Sequence, residues 1–138
     1  MKKLLMVTSC VAMLWCGFTA AETATKESSA KSGKVKLENM MSAVLEGVPG
    51  TEVIVSRVHI PPHSTLPKHW HPGEEFAYIL QGKAILVQEG KEDVVTKAGE
   101  AIKIPLKQIH SARTESEGAV IVVFRVHPQG EPERVLVP

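Results

Sequence analysis

Between Thr51 and Val126 the apolar residues fall in short runs separated by glycine turns, with no stretch of helical period. Val53 to Ile60 is β-branched and stops at Pro61-Pro62, which cannot donate to a ladder. Phe76–Leu80, Ala84–Gln88, Val94–Thr96, Ala101–Ile104 and Ala119–Val126 read as further strands. Their punctuation is Gln81-Gly82, Glu89-Gly90, Ala98-Gly99 and Glu117-Gly118. Closely spaced short strands with glycine turns predict an all-β sandwich or barrel. Lys34–Glu46 fits either a helical stripe through Met40, Met41, Val44 and Leu45 or a first strand, and strand is preferred here. Val120 to Phe124 is apolar at every position, which fits a central strand buried on both faces or one whose outer face meets another subunit. Tyr78 and Phe124 are expected in the core, and Val135–Val137 as a short edge strand.

The start of the chain follows a different pattern. Lys2 and Lys3 precede an apolar run from Leu4 to Phe18, and small residues at Thr19-Ala20-Ala21 follow it. This is the layout of a signal peptide over 1–21, and the run is shorter than the roughly 20 residues of a spanning helix. An uncleaved anchor is the competing reading. Residues 22–33 are polar and without period, as in a flexible linker, leaving 34–138 as one barrel domain. A periplasmic or secreted protein is therefore expected.

Composition narrows the chemistry. Both cysteines, Cys10 and Cys16, lie in the leader, so the mature chain has no thiol for a disulfide, a nucleophile or a thiolate metal site. Loss of Lys2 and Lys3 leaves 14 basic against 15 acidic residues, a net charge of −1. No basic field exists to attract nucleic acid, and no membrane partner is expected after leader cleavage.

The chemistry concentrates in His69-Trp70-His71-Pro72-Gly73-Glu74-Glu75. Residues two apart on a strand share a face, so His69 and His71 project together, away from Trp70. After the Pro72-Gly73 turn, Glu75 opens the next strand and can swing back toward the imidazoles. Two neutral imidazoles and a carboxylate form a ligand set for a divalent first-row metal with positions left open. A third histidine, His110, stands at the start of a later strand. Glu74 reads as a solvated turn residue. His59, His63 and His127 read as exposed or structurally bonded histidines, with His63 near the mouth. Arg57 shares the parity of His59 and either holds an anion or faces solvent; Gln108 is a candidate donor behind His110.

The segment resembles the first motif of the cupins, HxHx(3)Ex(6)G, with His69, His71, Glu75 and Gly82 on its positions. Gly99 to Pro105, with His110 five residues beyond, resembles the second, and sixteen residues (Lys83 to Ala98) separate the two. Three positions depart from the pattern: His63 and Lys107 stand where the family has glycine, and Thr114 where it has asparagine. The resemblance implies a double-stranded β-helix, or jelly-roll barrel, with His69, His71, Glu75 and His110 holding a divalent transition metal inside, near one mouth. It also implies frequent dimerisation. Ligand type does not choose among Mn, Fe, Ni, Cu and Zn. The expected function is that of a metal-dependent enzyme, of dioxygenase type, acting on a small organic substrate. A metal-dependent isomerase or lyase, a non-catalytic module for a small acid or sugar, and a barrel that merely retains the motif are the alternatives.

Overall fold

A computed structural model of the protein describes residues 33–138. The leader, and the linker as far as residue 32, lie outside the described residues. Nine strands follow in chain order: β1 (Lys36–Val44), β2 (Thr51–Ile60), β3 (His69–Trp70), β4 (Glu74–Gln88), β5 (Val94–Lys97), β6 (Ala101–Ile104), β7 (His110–Arg113), β8 (Ala119–Pro128) and β9 (Val135–Leu136). No helix occurs among the described residues. All pairings are antiparallel, and one curled sheet runs β1-β2-β8-β4-β7-β3-β9, with β5 and β6 also on β4.

The long strand β4 closes the barrel. Its first half, Glu74 to Gly82, pairs with β8 and β6. Its second half, Lys83 to Gln88, pairs with β5 and β7 in the facing layer. Gln81-Gly82 is therefore not a break between two strands, as the sequence reading has it, but a bend within one. The register slips between Ile79 and Gln81, and Gly82 adopts φ +73°. A bulge followed by a left-handed glycine turns a strand from one sheet to the next without ending it.

The core consists of inward residues of β2, β4 and β8: Val58, Ile60, Ala77, Ile79, Ile121 and Val123, joined by Leu66, Ala84 and Ala119. Each Val, Leu or Ile side chain among them contributes about 1.5–3 kcal/mol when removed from water, and each alanine less. The expectation that Tyr78 and Phe124 belong to this core is not met. Tyr78 is 41% exposed and Phe124 43%. Strand parity is the cause: Glu75, Ala77 and Ile79 face inward, so Phe76, Tyr78 and Leu80 face outward. Likewise Ile121, Val123 and Arg125 take the inner face of β8 and leave Phe124 outside. β8 is central, between β2 and β4, but its outer face is left open by the described residues.

Two departures from the family pattern have a backbone counterpart. His63 (φ 53°) and Lys107 (φ 57°) are the two non-glycine residues of positive φ among those described, and both stand where the cupin motifs carry glycine. Thr114 braces the first of them. Its Oγ1 donates to the Pro61 carbonyl (2.5 Å) and accepts from the Ser64 N–H (3.2 Å), fixing the turn that contains His63.

Candidate metal centre

The site is assembled at one mouth of the barrel from three strand ends. β3 supplies His69, its continuation supplies His71, and the first residues of β4 supply Glu75. β7 starts at His110, which pairs directly with His69 across the ladder. All four side chains are buried. The ring nitrogens that His69, His71 and His110 offer lie within 4.8 Å of one another, and the ring centroids are 4.4–5.2 Å apart.

Each ring is fixed through Nδ1. His69 Nδ1 meets the Pro67 carbonyl at 2.8 Å, His71 Nδ1 the Glu133 carbonyl at 2.6 Å, and His110 Nδ1 the Gln108 carbonyl at 2.8 Å. A carbonyl oxygen only accepts, so every Nδ1 carries a hydrogen and donates it. In the neutral ring the lone pair is then on Nε2, the tautomer a metal requires. Gln108 does stand behind His110, but through its main-chain oxygen; its side-chain amide donates to the Glu89 and Ile109 carbonyls instead.

Glu75 closes the fourth side. Its Oε2 lies 3.0 Å from His71 Nε2 and its Oε1 3.8 Å from His110 Nε2. Neither approach is a hydrogen bond, and both buried Nε2 atoms lack a partner. A lone pair set against a carboxylate is repulsive unless a cation lies between them or the ring is protonated. This donor set, with its unpartnered nitrogens and its carboxylate, fits a divalent metal ion.

Burial holds His69 near pH 4, against an ordinary 6.5, although the Pro67 carbonyl pulls the other way. Burial also lowers His110, opposed by the Gln108 carbonyl and Glu75. For Glu75 burial acts to raise the pKa. The contact with His71, and the charges of Arg125 and of His71 and His110 once acid protonates them, outweigh it and hold the carboxyl at about 2. At neutral pH the cluster therefore offers unprotonated nitrogens from His69 and His110 beside a carboxylate.

Three residues outside the motifs complete the site. Arg125, buried on β8, donates through Nε to Glu75 Oε2 (3.0 Å) and through Nη1 to Glu133 and to Ser56 Oγ (3.4 Å). Glu133 thus holds His71 with its carbonyl and Arg125 with its carboxylate. Arg134 lines the cavity behind the site. The C-terminal segment is held over the mouth by β9, which pairs with β3, and by the Val137 N–H on the Lys68 carbonyl. Arg125 interrupts an apolar run at the inward parity of Ile121 and Val123, a signal the sequence did carry. Nothing comparable marks Glu133 or Arg134.

The remaining candidates are elsewhere. Glu74 points outward to Lys103 (2.6 Å). Arg57 is exposed and paired with Glu38 (3.3 Å), so of its two readings solvent is the one observed. His59 and His63 are exposed. His127 is neither exposed nor bonded: it is fully buried, with both ring nitrogens unpartnered and Glu52 3.8 Å away.

No curated protein matches the chain in sequence. Among solved structures, the DMSP lyase DddQ from Ruegeria pomeroyi DSS-3 is similar at 23% identity and a TM-score of 0.61, over 79% of this chain and 57% of that one. An oxalate oxidase in complex with the substrate analogue glycolate is similar at 24% and 0.59, over 88% of this chain and 63% of that one. The polyketide cyclase RemF from Streptomyces resistomycificus gives 22% and 0.59, over 79% and 73%. The chain thus spans 57% of the lyase's length and 63% of the oxidase's, and at these identities the likeness establishes the double-stranded β-helix fold alone. The sequence profile of the cupin domain, Cupin_2, matches residues 56–126, and the chain belongs to the cupin family.

Proposed function

We propose that the protein is a metal-dependent enzyme of dioxygenase type acting on a small organic substrate, with His69, His71, Glu75 and His110 as the metal ligands. The observation that carries this reading is the fixed tautomer of all three imidazoles, each Nδ1 donating to a carbonyl and each Nε2 left for a ligand bond. A divalent ion bound there supplies a Lewis acid and, if redox-active, a site for dioxygen chemistry. The chain's own residues do the rest. Arg125 anchors Glu75, Glu133 anchors both Arg125 and His71, and the aliphatic walls of a cavity of about 50 Å3 limit water beside the ligands. Four protein ligands would leave a position for substrate on an ion that accepts more than four.

The test is oxygen uptake by iron-, manganese- and copper-loaded protein across phenolic and small-acid substrates. Uptake that depends on one substrate and is lost in His110→Ala supports the reading. A loaded protein that binds a ligand without consuming oxygen or converting it contradicts it and leaves a binding module.

Two further parts of the proposal rest on other features. The protein is exported, on the leader pattern of residues 1–21; an N-terminus beginning at Glu22 in the periplasmic or secreted fraction is the expected result. It is a homodimer through the outer sheet face, on the exposed aromatic residues of β4 and β8.

A further inference from the structure

The cavity behind the histidines is nearly all aliphatic. Val58, Ile79, Ile102 and Ile121 are among its walls, and His69, His110, Glu75, Arg125 and Arg134 make its polar end. At about 50 Å3 it has room for about four waters, which is the bulk of a ligand of a handful of non-hydrogen atoms. Two of its polar groups have no role in holding the metal ligands. Arg134, an exposed residue at the edge of the cavity, forms no ion pair among the described residues, whereas buried Arg125 is paired with both Glu75 and Glu133. Thr96 is buried, lines the same cavity, and its Oγ1 has no hydrogen-bond partner. Burying a hydroxyl unpartnered costs about 1–3 kcal/mol, a cost that a bound polar group would remove.

Charge then selects the ligand. Neutral imidazoles contribute nothing; Arg125 and Arg134 balance Glu75 and Glu133; a divalent ion leaves the site at about +2. An anion is attracted there, a cation is repelled, and a polyol finds walls that offer it few hydrogen bonds. Phosphate or sulfate would satisfy the charge but leave the aliphatic walls uncovered. The geometry points to a short aliphatic monocarboxylate bearing a second oxygen group as the ligand of this cavity. Arg134 receives the carboxylate and Thr96 the distal oxygen. This rests on the metal centre proposed above, and it decides between acid and sugar in favour of the acid.

Binding of propionate, propionamide, 3-hydroxypropionate and inorganic phosphate is measured by calorimetry on zinc-loaded protein, after metal content has been determined. Propionate should bind at least about tenfold more tightly than the isosteric amide, as a charge-assisted contact requires. Arg134→Gln should weaken propionate binding several-fold and narrow the gap to the amide, at unchanged zinc content and unchanged melting temperature, and Arg134→Lys should keep most of the preference. The 3-hydroxy acid should bind several-fold better than propionate in wild type but not in Thr96→Val. Equal binding of acid and amide, or an Arg134→Gln variant that binds propionate like wild type, overturns the carboxylate assignment. Phosphate bound as tightly as propionate overturns the aliphatic part, and a Thr96→Val variant that keeps the hydroxyl preference overturns the role of Thr96. Wild-type protein that takes up no metal overturns the metal centre and this inference together, whereas a loaded protein indifferent to ligand charge overturns this inference alone.

Discussion

Each site histidine is tied by one nitrogen and unencumbered at the other, and the burial of His69 and His110 makes the metal-free protein acid-sensitive. His69 titrates at about 4 in the fold and at an ordinary 6.5 when unfolded. Between those values the unfolded chain binds a proton that the folded site refuses, so stability falls as pH drops through the window. His110 shifts in the same direction. Glu75 is held at about 2 against an ordinary 4.5, and its contribution, present above 4.5, is lost as pH falls from there toward 2. Urea midpoints of metal-free protein should be level above pH 7 and decline from 6.5 downward, His69 alone contributing up to about 3 kcal/mol. A midpoint unchanged between pH 7 and 4 would contradict the buried neutral ring. His63 offers a second check. A left-handed backbone costs a non-glycine residue about 1–2 kcal/mol, partly offset by the freedom glycine gains when unfolded. His63→Gly should therefore stabilise the protein by about 0.5–1 kcal/mol, read from denaturant unfolding, with no effect on metal content.

Strand β4 is where local structure becomes architecture. It carries Glu75 into the site at one end and pairs with His110 at the other, through Gln88. Both depend on the bend at Gly82. A Cβ there would sit 1.9 Å from the Gly118 carbonyl oxygen, in addition to the strain of φ +73°. Gly82→Ala should cost about 3 kcal/mol or more and reduce metal retention, because the two halves of β4 then misalign. Thermal melting with metal analysis tests this, and a variant as stable as wild type would mean the bend is not required. The same strand marks what could be read from the chain alone. Alternation and glycine turns gave most of the strands, and motif spacing gave the four candidate ligands. The continuity of β4 was hidden because Gln81-Gly82 looks locally like any turn. Tyr78 and Phe124 were misplaced by weighing hydrophobicity over parity, although an inward Glu75 already requires an outward Tyr78. Arg125 and Glu133 meet Glu75 and His71 across sequence separations of 50 and 62 residues, and no local period encodes such contacts.

For the molecule as a whole, the open aromatic face is the feature that hydrophobicity alone does not leave in water. Phe76 and Phe124 are paired across β4 and β8, with Tyr78 on the same face. β1 extends that sheet, and its Met40, Met41 and Val44 are exposed as well. The proposed homodimer, with a second copy of the chain covering this face, would account for both. Phe124→Glu should shift sedimentation from dimer to monomer with little loss of fold stability, since the side chain is not in the core. A wild type that sediments as a monomer at high micromolar concentration would contradict this assembly.

The barrel, the carbonyl-fixed imidazoles and the buried arginine all converge on one candidate metal site. The most direct measurement is the metal content of purified protein alongside His110→Ala, by elemental analysis, with circular dichroism to establish that both are folded. One divalent transition metal ion per chain is expected in the wild type, with essentially none in the variant. A folded wild type without metal, or a variant that retains the same metal, would contradict the assignment of His69, His71, Glu75 and His110 as its ligands.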